Sequence, residues 1–123
     1  MFYRRKSSSQ NITIISEFNR AIFYHLPNVM VIGIITLDFH FPAPNSLKSK
    51  RVILKRIIER LRAKFNISIA EVDHHDLWQR SAIGISIVGR ERRFVNSVID
   101  KIMNQIELMH DVQILNQNIE YIT

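Results

Sequence analysis

Val31-Ile32-Gly33-Ile34-Ile35-Thr36-Leu37-Asp38-Phe39-His40-Phe41 is the stretch that decides the fold. Its odd-numbered members, from Val31 to Phe41, alternate with Ile32, Ile34, Thr36, Asp38 and His40. Successive strand residues point to opposite faces, so this pattern reads as a strand. Pro42-Ala43-Pro44-Asn45 stops it, because a proline donates no backbone hydrogen bond and restricts the residue before it. Ser46 then suits the cap of a helix whose apolar stripe is Leu47, Leu54, Ile57, Ile58, Leu61 and Phe65. Asn66 suits a left-handed residue that would end that helix.

Outward from there, residues 67–72 and 81–88 read as two further strands, with Ile83, Ile85 and Ile87 on one face of the second. A polar connection, Asp73-His74-His75-Asp76, followed by Leu77-Trp78-Gln79-Arg80, joins them. Gly89 ends the third strand. A second helix runs over about residues 91–109, with Val95, Val98, Ile102, Ile106 and Met109 inward. Residues 112–115 and 119–122 form the last strand, and the slip in their alternation predicts a bulge or early fraying. Strand, helix, strand, strand, helix, strand is the α+β ferredoxin-like βαββαβ sandwich. Right-handed crossovers put both helices on one face of a four-stranded antiparallel sheet, with the first and third strands central.

At 123 residues the chain holds one core. The absence of cysteine excludes disulfides, thiolate metal sites and thiol nucleophiles, and fits a reducing, cytoplasmic setting. The longest apolar run, residues 29–37, is too short to cross a bilayer, so no membrane association is expected. Residues 1–29 read as an N-terminal extension, either a disordered tail or the product of an upstream start codon, and 30–123 as the domain. The extension is basic and Ser-containing, superficially like an organelle transit peptide, but lacks the apolar core of a secretory signal.

The formal charge of +6 is unevenly spread. Residues 46–65 hold eight basic residues against Glu59 alone, a net of +7, and the chain outside 1–29 and 46–65 is net acidic. A concentrated basic field points to an anionic partner. In the expected topology the end of the first strand, the first helical turn and the connection over 71–80 meet at one sheet edge. Ser46, Lys48, Lys50, Arg51, Lys55, Arg62 and Arg80 are therefore candidates for binding a phosphate, a carboxylate or RNA. The competing reading is a capped helix with snorkelling lysines, in which Glu59 pairs with Lys55 and Arg62.

Glu71, Asp73, His74, His75 and Asp76, with His40, raise the possibility of a metal site. Adjacent strand residues point apart and no ligand spacing such as His-Glu-x-x-His is present, so a polar turn is the expectation, with no metal, cofactor or catalytic residue assigned. Trp78, the only tryptophan, is expected in the core. The sheet face opposite the helices carries Ile32, Ile34, Thr36, Ala82, Gly84 and Ser86, with no ring for stacking bases as an RRM requires. That face suits a homodimer or another partner.

The blocks Met30-Val31-Ile32-Gly33, Ser46-Leu47-Lys48-Ser49-Lys50-Arg51, Ala70-Glu71-Val72-Asp73, Asp76-Leu77-Trp78-Gln79-Arg80 and Ile83-Gly84 resemble the YlxP family of uncharacterised bacterial proteins. The resemblance implies a ferredoxin-like fold and singles out Leu47, Glu71, Asp76, Trp78, Gln79 and Gly84 as motif positions. It also implies a setting among translation-initiation and ribosome-maturation genes. Arg90, where a helix cap is expected, departs from the pattern. Together these observations lead to the expectation of a non-enzymatic accessory factor that binds ribosomal RNA or ribosome-associated proteins through the basic helix. A domain for a small anionic ligand and a structural homodimer are the alternatives.

Overall fold

The elements are β1 (Val31–His40), α1 (Leu47–Lys64), β2 (Ser68–Asp73), β3 (Arg80–Gly89), α2 (Arg92–Glu107) and β4 (Gln113–Ile122). The computed structural model describes residues 30–123, so the expected N-terminal extension lies outside the described residues. The sheet order is β2-β3-β1-β4, and every neighbouring pair is antiparallel. This is the ferredoxin-like arrangement, with β1 and β3 central.

Burial follows the alternation. Ile35, Leu37 and Phe39 on β1 and Ile83, Ile85 and Ile87 on β3 are buried in one core with Leu54, Ile57 and Leu61 of α1 and Val95, Ile99, Ile102 and Ile106 of α2. Both helices thus cover the same sheet face. Each large aliphatic side chain fully withdrawn from water contributes about 1.5–3 kcal/mol. Phe39 and Phe41 meet edge to face at the end of β1, with ring centroids 6.0 Å apart.

Two glycines seat α2. A Cβ at Gly33 would lie 2.5 Å from Val95 Cγ1, and one at Gly89 would lie 2.7 Å from Phe94 Cδ2 and 2.8 Å from Val95 Cγ2. The first turn of α2 therefore rests on bare backbone. Glu91 occupies the cap position in extended conformation without a side-chain hydrogen bond, so the helix starts uncapped. The slip in the last strand corresponds to a register shift of β4 against β1 between Asp38 and Phe39. The end of α1 differs from expectation. Phe65 closes it in extended conformation, its N–H bonded to Leu61 O. Asn66 is not left-handed; among the described residues, the one non-glycine with positive φ is His74.

Gly33→Ala should destabilise the domain in urea denaturation. Reduced chain entropy in the unfolded state stabilises by only about 0.4–1 kcal/mol, whereas overpacking a filled site costs about 1–3 kcal/mol. Thr36→Ala, on the exposed face of the same strand, is the control. A Gly33→Ala variant as stable as the parent would show that α2 is not seated there.

Candidate functional site: the α1 start and the β2–β3 connection

Leu47, Lys50, Leu54, Ile57 and Leu61 recur at alternating spacings of three and four, which places them in one row on α1. Lys50 occupies a core slot in that row and is 0% exposed. Its ammonium carries three protons, and four oxygens surround it. Nζ lies 3.0 Å from Glu71 Oε2, 2.8 Å from His74 O, 3.1 Å from Arg80 O and 3.4 Å from His75 O. Glu71 Oε2 also accepts a 2.6 Å bond from Ser81 Oγ. Ser81 is fully buried too, so the pair and the serine form a polar cluster inside the helix–sheet layer.

The same cluster shapes the connection. His74 adopts φ 62, and its N–H donates to Asp73 Oδ1 at 2.7 Å. Leu77 N–H donates back to His74 O at 3.2 Å, closing a turn over His75 and Asp76. Two residues on, Phe41 N–H donates to Gln79 O at 2.9 Å, and Gln79 Nε2 donates to Pro42 O at 3.0 Å. The connection is thus held from α1 by Lys50 and from the end of β1 through Gln79. Between these holds, Leu77 is 45% and Trp78 54% exposed. The expectation of a core tryptophan is overturned: Trp78 stands half exposed in the connection.

The other candidates separate into groups. Ser46 caps α1, accepting the Ser49 N–H at 3.1 Å. Lys48, Arg51 and Lys55 are exposed, and among the described residues no hydrogen bond or ion pair engages their side chains. Arg62 donates through Nη2 to Ile69 O at 3.2 Å, tying that flank of α1 to β2. Arg80 lies on the opposite face of the sheet, with Nη2 3.8 Å from Asp38 Oδ1 and its Nε buried without a partner. An open groove of about 430 Å³ contains Ser46 and Lys48 but neither Lys50 nor Arg80. Ser46, Lys48, Lys50, Arg51 and Arg80 therefore do not line one anion pocket. Lys50 in particular is withdrawn from any ligand, because its protons are all directed to protein oxygens.

Of the motif positions, Leu47 is half-buried at the head of the row that Lys50, Leu54, Ile57 and Leu61 bury, Asp76 lies in the turn, and Gly84 leaves room for Val72, whose Cγ1 would stand 3.1 Å from a Cβ there. His74 sits between two carboxylates, its Nε2 3.9 Å from Asp38 Oδ1 and its Nδ1 4.0 Å from Asp73 Oδ1. His40 Nδ1 is instead within 3.1 Å of Gln113 Oε1. Among the described residues, no group of three or more His, Cys, Asp or Glu is arranged to hold a metal ion.

The structural roles of Lys50 and Ser81 escape a reading that groups residues by charge. The signal was present: Lys50 falls in the apolar row of α1, and Ser81 shares a face with Ile83, Ile85 and Ile87.

Two comparisons with known proteins bear on this domain. The family model described as a protein of unknown function (DUF503) matches residues 32–119. The uncharacterised protein YlxP of Bacillus subtilis (strain 168) is 37% identical over 68 residues, which is 55% of this chain and 74% of that protein.

Removing one partner of a buried ion pair leaves the other uncompensated, at about 3–5 kcal/mol. Lys50→Ala should lose stability on that scale, and the double change Lys50→Met/Glu71→Leu should lose less than the single. The chain's sole tryptophan is in the connection, so its near-ultraviolet dichroism reports the same disruption locally. A Lys50→Ala loss below about 1 kcal/mol would mean that the cluster does not organise the connection.

Proposed function

This chain belongs to the DUF503 family, and we propose that it is a non-enzymatic accessory factor that binds RNA or a ribonucleoprotein through the basic flank of α1. The observation that carries this reading is the row of exposed, unengaged cations formed by Lys48, Arg51 and Lys55. At 3.6 residues per turn they share a flank with Arg62, whose bond to Ile69 O places that flank beside β2. On the opposite flank Arg56 pairs with Asp111 and Lys64 donates to Gln105 Oε1 at 2.8 Å, leaving Arg60 as the single unengaged cation there among the described residues. A cation already in an intramolecular contact must leave it before neutralising a phosphate, whereas Lys48, Arg51 and Lys55 need not. Glu59 lies on the same side and limits the length of the basic row.

The non-enzymatic reading is supported by how the polar groups are used. Lys50, Glu71 and Ser81 hold one another and the backbone of the connection, and the His74 turn closes on its own neighbours. No helix among the described residues is long and apolar enough to cross a membrane. The translation-linked setting that the YlxP resemblance implies makes structured ribosomal RNA the first ligand to examine.

A homodimer through the open sheet face is a second reading, favoured by Val72 and Val88, which are 56% and 55% exposed there. On the two central strands they are joined on this face by Ile32, directly opposite Val88, and by Ile34, with the smaller Thr36, Gly84 and Ser86 between, a partly apolar surface that suits a second sheet stacked on the first. Light scattering should then give a dimer mass that Val88→Glu reduces to a monomer. A monomer mass for the parent protein would remove this reading.

Fluorescence anisotropy with labelled ribosomal RNA over a salt series tests the principal proposal. Affinity should fall linearly on logarithmic axes, and Lys48→Ala/Arg51→Ala/Lys55→Ala should reduce the slope by about 2–3. No binding at low salt, or an unchanged slope in the triple variant, would refute it.

A further inference from the structure

We infer that Trp78 is a base-stacking platform, so that the RNA segment engaged at this end of the domain is single-stranded; this rests on the RNA reading proposed above. Trp78 is the only tryptophan of the chain and is 54% exposed. A large apolar ring left half in water forgoes much of the burial it could contribute to the core. It is nevertheless presented on fixed backbone. Leu77 on one side closes the His74 turn, and Gln79 on the other is bonded to both Phe41 and Pro42. Beyond these, the Lys50 ammonium holds the His74 and Arg80 carbonyls. A ring whose backbone is already ordered loses little further freedom on binding.

Location selects the partner class. The Gln79 bonds to Phe41 and Pro42 bring the residue next to Trp78 against the segment that leads into α1, and Lys48 and Arg51 are in the first turns of that helix. Stacking on an aromatic face beside phosphate-binding cations is how unpaired nucleotides are held with little sequence preference. Protein–protein interface cores are enriched in tryptophan and arginine but depleted of lysine, so it is Lys48 and Lys55 that favour a nucleic acid over a protein here. A duplex keeps its bases stacked internally and offers none to the ring. The open sheet face supplies no competing platform, since β1 and β3 present Ile32, Ile34, Thr36, Gly84 and Ser86 there.

Two RNAs, an unstructured oligouridine of about a dozen nucleotides and a blunt duplex of similar length, distinguish the outcomes. The oligouridine should quench the intrinsic fluorescence, which comes from Trp78 alone among tryptophans, and the duplex should not. Trp78→Ala should bind labelled oligouridine about 10- to 100-fold more weakly. Trp78→Phe should retain most of the affinity, and both variants should keep the parent's salt slope, because stacking releases no counterions. Circular dichroism establishes that each variant is folded. Unchanged oligouridine affinity in Trp78→Ala, or equal quenching by the duplex, overturns the stacking role while leaving the basic flank in place. No RNA binding by the parent protein overturns both. A change of oligomeric mass in Trp78→Ala would assign the ring to a protein contact and also overturns the inference.

Discussion

An ammonium placed between a helix and a sheet has to be surrounded by oxygens, and that requirement at Lys50 fixes the neighbouring chain. Withdrawing such an ion from water costs several kcal/mol even after relaxation. Glu71 supplies the countercharge from the helix-facing side of β2, and the register of β2 against β3 shifts immediately after it, between Glu71 and Asp73. Ser81 occupies the carboxylate oxygen that Lys50 also uses. The remaining protons require backbone carbonyls turned inward at His74 and Arg80, and the left-handed His74 is where the chain makes that turn. An apolar residue at position 50 would tolerate several orientations of the connection. The ammonium accepts one.

The basic segment acquires a different meaning once its members are placed. Lys50 is a core residue, Arg56, Arg62 and Lys64 are engaged with Asp111, Ile69 and Gln105, and Lys48, Arg51, Lys55 and Arg60 remain without partners among the described residues. The net charge of the segment therefore overstates the field offered to a ligand. What remains is a short basic row of Lys48, Arg51 and Lys55 on one flank, with Arg60 apart from it beside Arg56, rather than a wholly basic helix. A row of this length contacts a few phosphates, which limits the electrostatic part of any affinity.

Periodicity made most of the fold legible. The alternation over Val31–Phe41 assigns the correct face to every residue of β1, and the broken alternation before Ile119 marks the register shift of β4 against Asp38 and Phe39. Three features were not legible for separate physical reasons. The closure of α1 depends on an extended Phe65, and no local rule distinguishes that from a left-handed Asn66. Trp78 is exposed because the Gln79 bonds to β1 and the Lys50 clamp determine the course of the connection, and these are long-range contacts. Lys50 reads as a surface cation whether it binds an anion or snorkels, because both readings keep its ammonium in water; burial of the ammonium depends on Glu71 and the His74 and Arg80 carbonyls, which come from distant parts of the chain.

The two helices are held to the sheet by unlike means, and this bears on where a ligand is recognised. α2 rests on Gly33 and Gly89 through Val95 and Phe94, starts without a side-chain cap, and is tied to β4 at its exposed edge, where Tyr121 Oη donates to Asn96 Oδ1 at 2.6 Å and Arg92 stacks over the Tyr121 ring. The apolar part of this seat is sensitive to volume, and its one side-chain hydrogen bond to the sheet among the described residues is exposed to water rather than buried. α1 is fixed by hydrogen bonds of 2.8–3.1 Å from Lys50 to Glu71, His74 and Arg80. Displacing that helix relative to the connection would strand a buried charge. The buried clamp thus keeps the first turns of α1 and the β2–β3 connection in one arrangement. Trp78, Lys48 and Arg51 stand on those two elements.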